Sequence, residues 1–265
     1  MTLRSHLLII AALPLLAAPA RAQSADAIAH TLEAAHGKSA WYAQDAIEID
    51  ATVDFFNGEL RLEGTMLFTS SLSKVRYTLD DGTVMVWNDG EVWLSPADRE
   101  LEQARFHVMT WPYFAAVPFK LRDAGVNLDA AGELPVTGPG DTTRAVKLTF
   151  DRGTGDAPDD WYYLLPDDEH RLAAMSYIVT YGPTSQAEAE EKPSIVIYDD
   201  FRTEAGVTLP YRWDFYYWSK SDGAQTGDGP KGTVRVHDVR FVTPDDAAFD
   251  RPADAKPIPA PDGSP

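Results

Sequence analysis

The chain has 265 residues and a formal net charge of -18 at pH 7, from 41 acidic and 23 basic residues. Such an acidic surface repels nucleic acid phosphates and anionic lipid headgroups. The charge therefore argues against nucleic acids and anionic membranes as partners bound by broad electrostatic attraction. The chain contains no cysteine. Stability must therefore come from an apolar core of ordinary size rather than from disulfides.

The N-terminus has the pattern of a secretory signal peptide. Arg4 supplies positive charge, Leu7 to Ala18 is an apolar run broken only by Pro14, and Ala20-Arg21-Ala22 is a small-x-small cleavage pattern. A membrane-spanning helix, the alternative, needs about 20 apolar residues, more than this run provides. We expect residues 1–22 to be removed after Ala22. The product would be a periplasmic protein that is not lipid-anchored, since no cysteine can accept a lipid.

The first predicted element after the signal is a helix over Asp26 to His36. Apolar or small residues recur at helical spacing at Ile28, Ala29 and Leu32, and Gly37 stands where a C-terminal cap belongs. One amphipathic helix is therefore expected to open the domain.

From Ala46 onward the hydrophobic period changes to two, which is typical of strands. Two such runs flank Asn57-Gly58, and further turn signals follow at Asp81-Gly82 and Asp89-Gly90. Because strands joined by tight turns are antiparallel, this part of the chain is predicted to be a meander.

The segment Leu101 to Lys120 breaks the strand rhythm with large apolar residues interrupted by Pro112 and Pro118. It is predicted to form short helices that lie across the sheet. The next segment, Leu121 to Pro139, is rich in Gly, Pro and Asp and is predicted to be irregular.

Strand patterns then resume and continue almost to the end of the chain. They occupy residues 144–150, 161–165, 172–180, 194–201, 207–218 and 232–242. The prediction from these patterns is a mainly β (α+β) fold of about eleven strands in a curved antiparallel sheet, with an N-terminal helix and an embedded helical insert. One domain would span residues 23–251, and the proline-rich tail 252–265 is predicted to be disordered.

Candidate metal ligands are His30, Glu33 and His36 on the first helix. Their spacing of three and six residues does not bring the three side chains to one point. The favoured interpretation is that His36 interacts with the C-terminus of its own helix and that no cofactor is bound.

No residues in catalytic spacing stand out. His107, His170 and His237 are scattered, and no Gly-x-Ser-x-Gly elbow is present. The pairs Asp167-Asp168 and Asp199-Asp200 are interpreted as a turn and a solvated strand face, because neighbouring strand residues point to opposite sides. The chain is predicted not to be an enzyme.

A resemblance to a known protein family gives more information about function than these spacings do. The C-terminal third contains Tyr198-Asp199-Asp200-Phe201, Gly206-Val207-Thr208-Leu209-Pro210, a strand from Val234 to Phe241, and Phe249-Asp250. This ending resembles the periplasmic lipoprotein carriers LolA and LolB and their relatives, and Trp161 to Pro166 followed by Arg171-Leu172 is similar to their central hairpin. His36-Gly37 and Pro118 to Gly125 resemble an uncharacterised secreted branch of that superfamily.

The resemblance implies a half-open barrel whose mouth is closed by helices over an apolar cavity that accepts acyl chains. The predicted lid residues are Met109, Trp111, Phe114, Val117 and Phe119. The residues predicted to face the cavity are Leu62, Phe68, Trp87 and Trp93. The carriers' lid-locking arginine has no motif match, so Arg61, Arg76 and Arg105 all stay open.

The resulting hypothesis is a monomeric exported carrier or sensor of a hydrophobic small molecule or acyl chain. One alternative is an envelope protein-interaction module that uses the concave sheet. A further alternative is a hydrolase of envelope material.

Overall fold

The computed structural model describes residues 24–245 and 247–261, so the predicted signal peptide lies outside it. In the described part of the chain, no helix has both the length and the apolar character needed to cross a membrane.

A single antiparallel sheet that does not close on itself dominates the fold. Its strands are β1 (Ala46–Phe55), β2 (Leu60–Thr69), β3 (Lys74–Leu79), β4 (Val84–Asn88), β5 (Glu91–Ser95), β6 (Val126–Gly138), β7 (Asp141–Phe150), β8 (Trp161–Pro166), β9 (Leu172–Tyr177), β10 (Ser194–Glu204), β11 (Val207–Ser219), β12 (Gly223–Ala224), β13 (Gly232–Val242) and β14 (Lys256–Ile258). The order across the sheet is β14-β5-β4-β3-β2-β1-β13-β11-β10-β9-β8-β7-β6, and the short β12 pairs with β11. The mainly β, curved antiparallel half-barrel predicted from the sequence is confirmed. The described residues form fourteen strands instead of about eleven, because β6, β12 and β14 were not predicted.

In the part of the chain that the structure describes, four helices accompany the sheet. They are α1 (Ala25–His36), α2 (Lys38–Trp41), α3 (Ala104–Ala116) and α4 (Gln186–Glu191). Short 3-10 turns occupy Phe56–Gly58 and Val117–Phe119. The insert predicted as short helices is thus one helix of 13 residues, with Pro112 inside it, followed by a 3-10 turn.

Helix α1 forms where the sequence predicts it, and its caps explain why. The side chain of Ser24 accepts a hydrogen bond from the backbone N–H of Ala27 at 3.2 Å, which satisfies a free donor at the N-terminus. At the other end Gly37 has a left-handed φ of 78°, and its N–H bonds to carbonyl groups of the last turn. Ile28, Ala29 and Leu32 are buried and define the face that packs on the sheet.

The segment predicted to be irregular contains β6, so that prediction is wrong. β6 pairs with β7 along its length, with breaks in register near Gly132 and after Pro135. Gly132 has a φ of 78°. Because β6 is the edge of the sheet, a proline and a bulge interrupt its pairing at small cost.

The C-terminal tail is also more ordered than predicted. Lys256, Pro257 and Ile258 form β14 and pair with Leu94, Trp93 and Val92 of β5. The prediction of disorder is wrong for this part of the tail. The proline-rich composition predicts disorder, but the tail is ordered here because it pairs with the edge of an existing sheet and needs no core of its own.

Two apolar cores lie on opposite faces of the sheet. The larger occupies the face against α1 and α3, here called the inner face, and a smaller one occupies part of the outer face. β8 joins them: Tyr162 and Leu164 belong to the inner core, whereas Trp161, Tyr163 and Leu165 belong to the outer core. This two-sided burial accounts for a strand with only aromatic and aliphatic residues at its first five positions.

Candidate functional site

Helix α3 fills much of the half-barrel. It lies on β3 and β4 and sends Trp111 and Phe114 into the interior. The ring centroid of Trp111 is 5.6 Å from that of Phe55, and the rings of Phe114 and Phe215 stack with their centroids 6.1 Å apart. The helix therefore acts as a plug inside the sheet as well as a cover over it.

A cleft of about 340 Å³ remains between α3 and the two ends of the curled sheet, and we call it the inner cleft. On one side are Val75 and Trp87 of β3 and β4, and on the other are Phe150 and Tyr162 of β7 and β8. Met109, Tyr113 and Phe114 of α3 form the wall between them. Concave, mainly apolar spaces of this size are typical of sites for small molecules.

An ion pair closes one end of the inner cleft. Arg105, at the start of α3, donates from Nε to Asp156 Oδ2 at 2.5 Å and from Nη2 to Oδ1 at 2.9 Å. It also donates to the carbonyl of Gly90 at 3.1 Å. Both side chains are largely buried, at 6% and 13% exposure. This fork geometry holds the N-terminal end of the helix against the loop between β7 and β8.

The other end of the insert is held by aromatic packing. Phe119 stacks on Trp41 with ring centroids 4.1 Å apart, and the Tyr42 hydroxyl donates to the Phe119 carbonyl at 3.0 Å. The two ends of the insert are thus fixed by different forces, because one is a charged latch and the other an apolar anchor.

Three tyrosines and one aspartate give the inner cleft a polar corner. Burial raises the pKa of Tyr113, Tyr162 and Tyr177, so all three hydroxyls stay protonated. Burial also raises the pKa of Asp160 to about 6. Asp160 accepts hydrogen bonds from the backbone N–H and the hydroxyl of Thr180, at 2.6 and 2.8 Å, which limit that rise.

The structure disperses the predicted ligand-contact residues over three environments. Trp87, Met109 and Phe114 line the inner cleft. Five others are buried in the inner core away from it: Leu62, Phe68, Trp111, Val117 and Phe119. Trp93 points the other way, because its neighbours Val92 and Leu94 belong to the inner core and strand residues alternate.

The three candidate arginines are also distinguished. Arg61 forms an exposed ion pair with Asp54, and Arg76 lies on the outer face, where it bonds to the carbonyl of Ala248. Of the three, Arg105 is the one that joins the helical insert to the cleft wall.

His36 is a structural junction. Its Nδ1 donates to the Thr208 carbonyl at 2.8 Å, and its Nε2 accepts from the backbone N–H of Leu172 at 2.9 Å. These bonds fix a neutral tautomer, and burial lowers the pKa of His36 to about 4. The interpretation that it interacts with its own helix C-terminus is wrong, since it ties α1 to β9 and β11.

The other candidate metal ligands on α1 are placed as follows. Glu33 forms ion pairs with Lys38 and Arg122, while His30 is exposed. Residues 24–245 and 247–261 contain no group of three or more His, Cys, Asp or Glu side chains that could hold a metal ion.

Sequence reasoning missed part of the inner cleft. Tyr113, Phe150, Tyr162 and Tyr177 line it, although none was singled out as a ligand contact. The available signal was the run Trp161 to Leu165, whose unbroken apolar character indicates a strand buried on both faces.

This architecture, an unclosed antiparallel sheet wrapped around a helical insert, is the LolA-like half-barrel. A LolA superfamily protein from Nitrosomonas europaea superimposes with a TM-score of 0.53, covering 86% of this chain and 98% of that one, at 10% sequence identity. A putative outer membrane lipoprotein-sorting protein domain from Vibrio parahaemolyticus gives a TM-score of 0.50, with 84% and 97% coverage and 9% identity. No protein-family model and no curated protein matches the chain.

At such low identity the likeness establishes the fold alone.

Proposed function

We propose that the protein is an exported, monomeric binding protein that holds one acyl chain or similar lipid-like group in the inner cleft. The observation that carries this proposal is the mainly apolar cleft between α3 and the inner face of a LolA-like half-barrel. The signal-peptide pattern of residues 1–22 supports the periplasmic location.

The volume of the inner cleft favours a ligand with a single hydrocarbon chain. A volume of about 340 Å³ equals roughly eleven water molecules at about 30 Å³ each, which suits a single hydrocarbon chain rather than a multiply acylated anchor. Burying an alkyl chain is favourable by about 0.8 kcal/mol per methylene before ordering costs are subtracted. Binding therefore requires only apolar walls of the right width.

Helix α3 provides the means of entry. Its C-terminal end is anchored by Phe119, whereas its N-terminal end is held by the Arg105–Asp156 ion pair. If the ion pair opens, α3 can swing away from β3 and β4, and the apolar surfaces around Trp111 and Phe114 then extend the cleft. The lid function predicted for this helix thus becomes a combined lid and plug.

The protein-interaction alternative gains no support from the inner face. α1 and α3 already cover that face and bury their apolar sides against it. A protein partner would have to displace both helices, whereas an acyl chain needs only the space that exists.

Binding can be tested directly. Native mass spectrometry of protein from the exported fraction should show added mass of a lipid, and the delipidated protein should bind dansyl-undecanoic acid with energy transfer from tryptophan. The variant Val179→Trp places an indole in the cleft and should weaken probe binding by about tenfold or more. The matched control Phe56→Trp adds an indole at an exposed hairpin and should bind as the parent does. A bare chain that binds no probe, or a Val179→Trp variant with unchanged affinity, would contradict the proposal.

A further inference from the structure

A second cleft, of about 680 Å³, lies on the outer face of the sheet and is separate from the inner cleft. We call it the outer cleft. It is bounded by β7, β8, the end of β11 and the short helix α4. The residues that matter for its chemistry are Lys147, Trp161, Tyr163, Glu190, Lys220 and Gln225.

The floor of the outer cleft is aromatic. Trp161 and Tyr163 lie with ring centroids 4.8 Å apart, and Trp218 is 5.9 Å from Tyr163. An antiparallel sheet normally turns polar residues toward solvent on its outer face. Here the outer face carries a small apolar core with an open space above it.

Unpaired lysines surround this floor. Within residues 24–245 and 247–261, Lys147, Lys192 and Lys220 form no ion pair, although acids outnumber bases 41 to 23 in the chain. Lys220 sits over the ring of Tyr163 with Nζ 4.9 Å from its centroid. Glu190 and Glu191 also line the outer cleft, but the three lysines outnumber them. The cleft therefore has a small excess of positive charge in a strongly acidic protein, which favours an anion.

The remaining lining groups can bond to hydroxyls. Glu190 offers carboxylate oxygens and Gln225 a side-chain amide, and the Tyr163 hydroxyl has no hydrogen bond to any described residue. A sugar ring has a face of C–H groups that packs on aromatic surfaces and a rim of hydroxyls that suits such partners. The aromatic floor matches the C–H face of a sugar, the polar side chains match its hydroxyls, and the lysines match an acidic group on the same molecule.

We propose that the outer cleft is a binding site for an acidic saccharide, one that carries a carboxylate or phosphate on a sugar ring. The lysines would bind the acidic group and the aromatic floor the ring. This inference does not depend on the inner cleft or on its ligand.

One internal contact indicates how binding would be sensed. Glu190 of α4 accepts a hydrogen bond from the Trp161 indole N–H at 3.0 Å. The protein's own carboxylate thus already lies at the edge of the outer cleft, where a ligand's acidic group can compete with it. Occupation of the cleft is expected to shift the fluorescence of Trp161.

The test is a calorimetric titration of the full exported chain with trigalacturonic acid, with neutral galactotriose and inorganic phosphate as separate probes. We expect the acidic trisaccharide to bind, with affinity that falls as salt is raised. The variant Lys147→Gln/Lys220→Gln should bind about tenfold or more weakly. The control Lys74→Gln removes another lysine without an ion pair among the described residues, but outside the cleft, and should change nothing.

Several outcomes would overturn the inference. No binding of trigalacturonic acid, or binding that is equal in the double-lysine variant, removes the site. Equal binding of galactotriose removes the role of the charge, and equal binding of inorganic phosphate removes the role of the ring. Lysine-dependent binding to phosphatidylglycerol vesicles without saccharide binding would assign this face to a membrane surface instead. The Val179→Trp variant should leave saccharide binding intact, which separates this result from a failure of the inner cleft.

Discussion

Arg105 and Asp156 form a two-bond, largely buried ion pair across the mouth of the inner cleft, 51 positions apart in the chain. One partner belongs to α3 and the other to the loop between β7 and β8. The pair is therefore placed to couple the position of the helix to the opening of the cleft.

Replacing Arg105 with Met should destabilise the protein and speed ligand exchange. Removing one member of a buried ion pair costs about 3–5 kcal/mol. The expected result is a lower urea midpoint together with faster uptake and release of dansyl-undecanoic acid in stopped-flow fluorescence. The double variant Arg105→Met/Asp156→Leu should recover part of the stability but keep the fast exchange, because it removes both charges and still lacks the latch.

A matched control is Arg61→Met, which removes an exposed pair with Asp54. Exposed ion pairs contribute little to stability because water and salt screen them, so stability and exchange rates should hardly change. Exchange rates that are the same in Arg105→Met and the parent would show that α3 does not gate the cleft.

The sequence predicts strands and turns well where they depend on neighbouring residues. It predicts the residues that line the inner cleft less well, because these depend on the register between strands. The Asp89-Gly90 turn is as expected, with Asn88 paired to Glu91 and positive φ angles at both turn residues. That register also pairs Trp87 with Val92, which places Trp93 on the other face. A hydrophobic pattern alone does not say which of two tryptophans enters the interior.

The cleft walls depend on still longer-range contacts. Phe150 and Tyr162 meet Tyr113 of α3 only because the sheet curls and brings β7 and β8 opposite β3 and β4. No spacing in the sequence encodes that curvature. The same limit applies to β14, whose pairing with β5 joins segments that are far apart in the chain.

Acid should destabilise the fold through two buried histidines. Burial lowers the pKa of both His36 and His107 from 6.5 to about 4. Between these values the unfolded chain binds protons that the folded chain does not, so the free energy of unfolding falls as pH drops through this window. Each histidine can contribute up to about 3 kcal/mol. Asp160 has the opposite effect. Because burial raises its pKa to about 6, its contribution to the free energy of unfolding is lost as pH rises through that value.

Urea unfolding at several pH values from neutral to about 4 tests this balance, with two histidines expected to outweigh one aspartate. His107→Leu should reduce the pH dependence, whereas the exposed His30→Gln should not alter it. Stability that is constant across the window, or that rises on acidification, would contradict the assignment of two neutral histidines.

Two buried tyrosine hydroxyls, one without and one with a hydrogen-bond partner among the described residues, can be compared directly. The hydroxyl of Tyr113 is buried and has no hydrogen-bond partner among the described residues, whereas that of Tyr198 donates to the Phe114 carbonyl at 3.0 Å. Tyr113→Phe should leave stability unchanged or raise it by up to about 1 kcal/mol, while Tyr198→Phe should cost about 1–2 kcal/mol. Thermal unfolding of both variants checks this. A loss in Tyr113→Phe as large as that in Tyr198→Phe would show that a bound molecule satisfies the Tyr113 hydroxyl.

Gly37 should tolerate no side chain. It has a φ of 78°, and a Cβ there would collide with the carbonyl oxygen of Gly206 in the turn between β10 and β11. Neither backbone can yield easily, because the neighbouring His36 bonds to Thr208 just past that turn. Gly58 is the matched control: its φ is 91°, but a Cβ would meet nothing within 4 Å. Gly58→Ala should cost only the backbone strain of about 1 kcal/mol. Gly37→Ala should cost several times more and reduce soluble yield, and equal unfolding free energies for the two variants would mean that α1 is not docked on this turn.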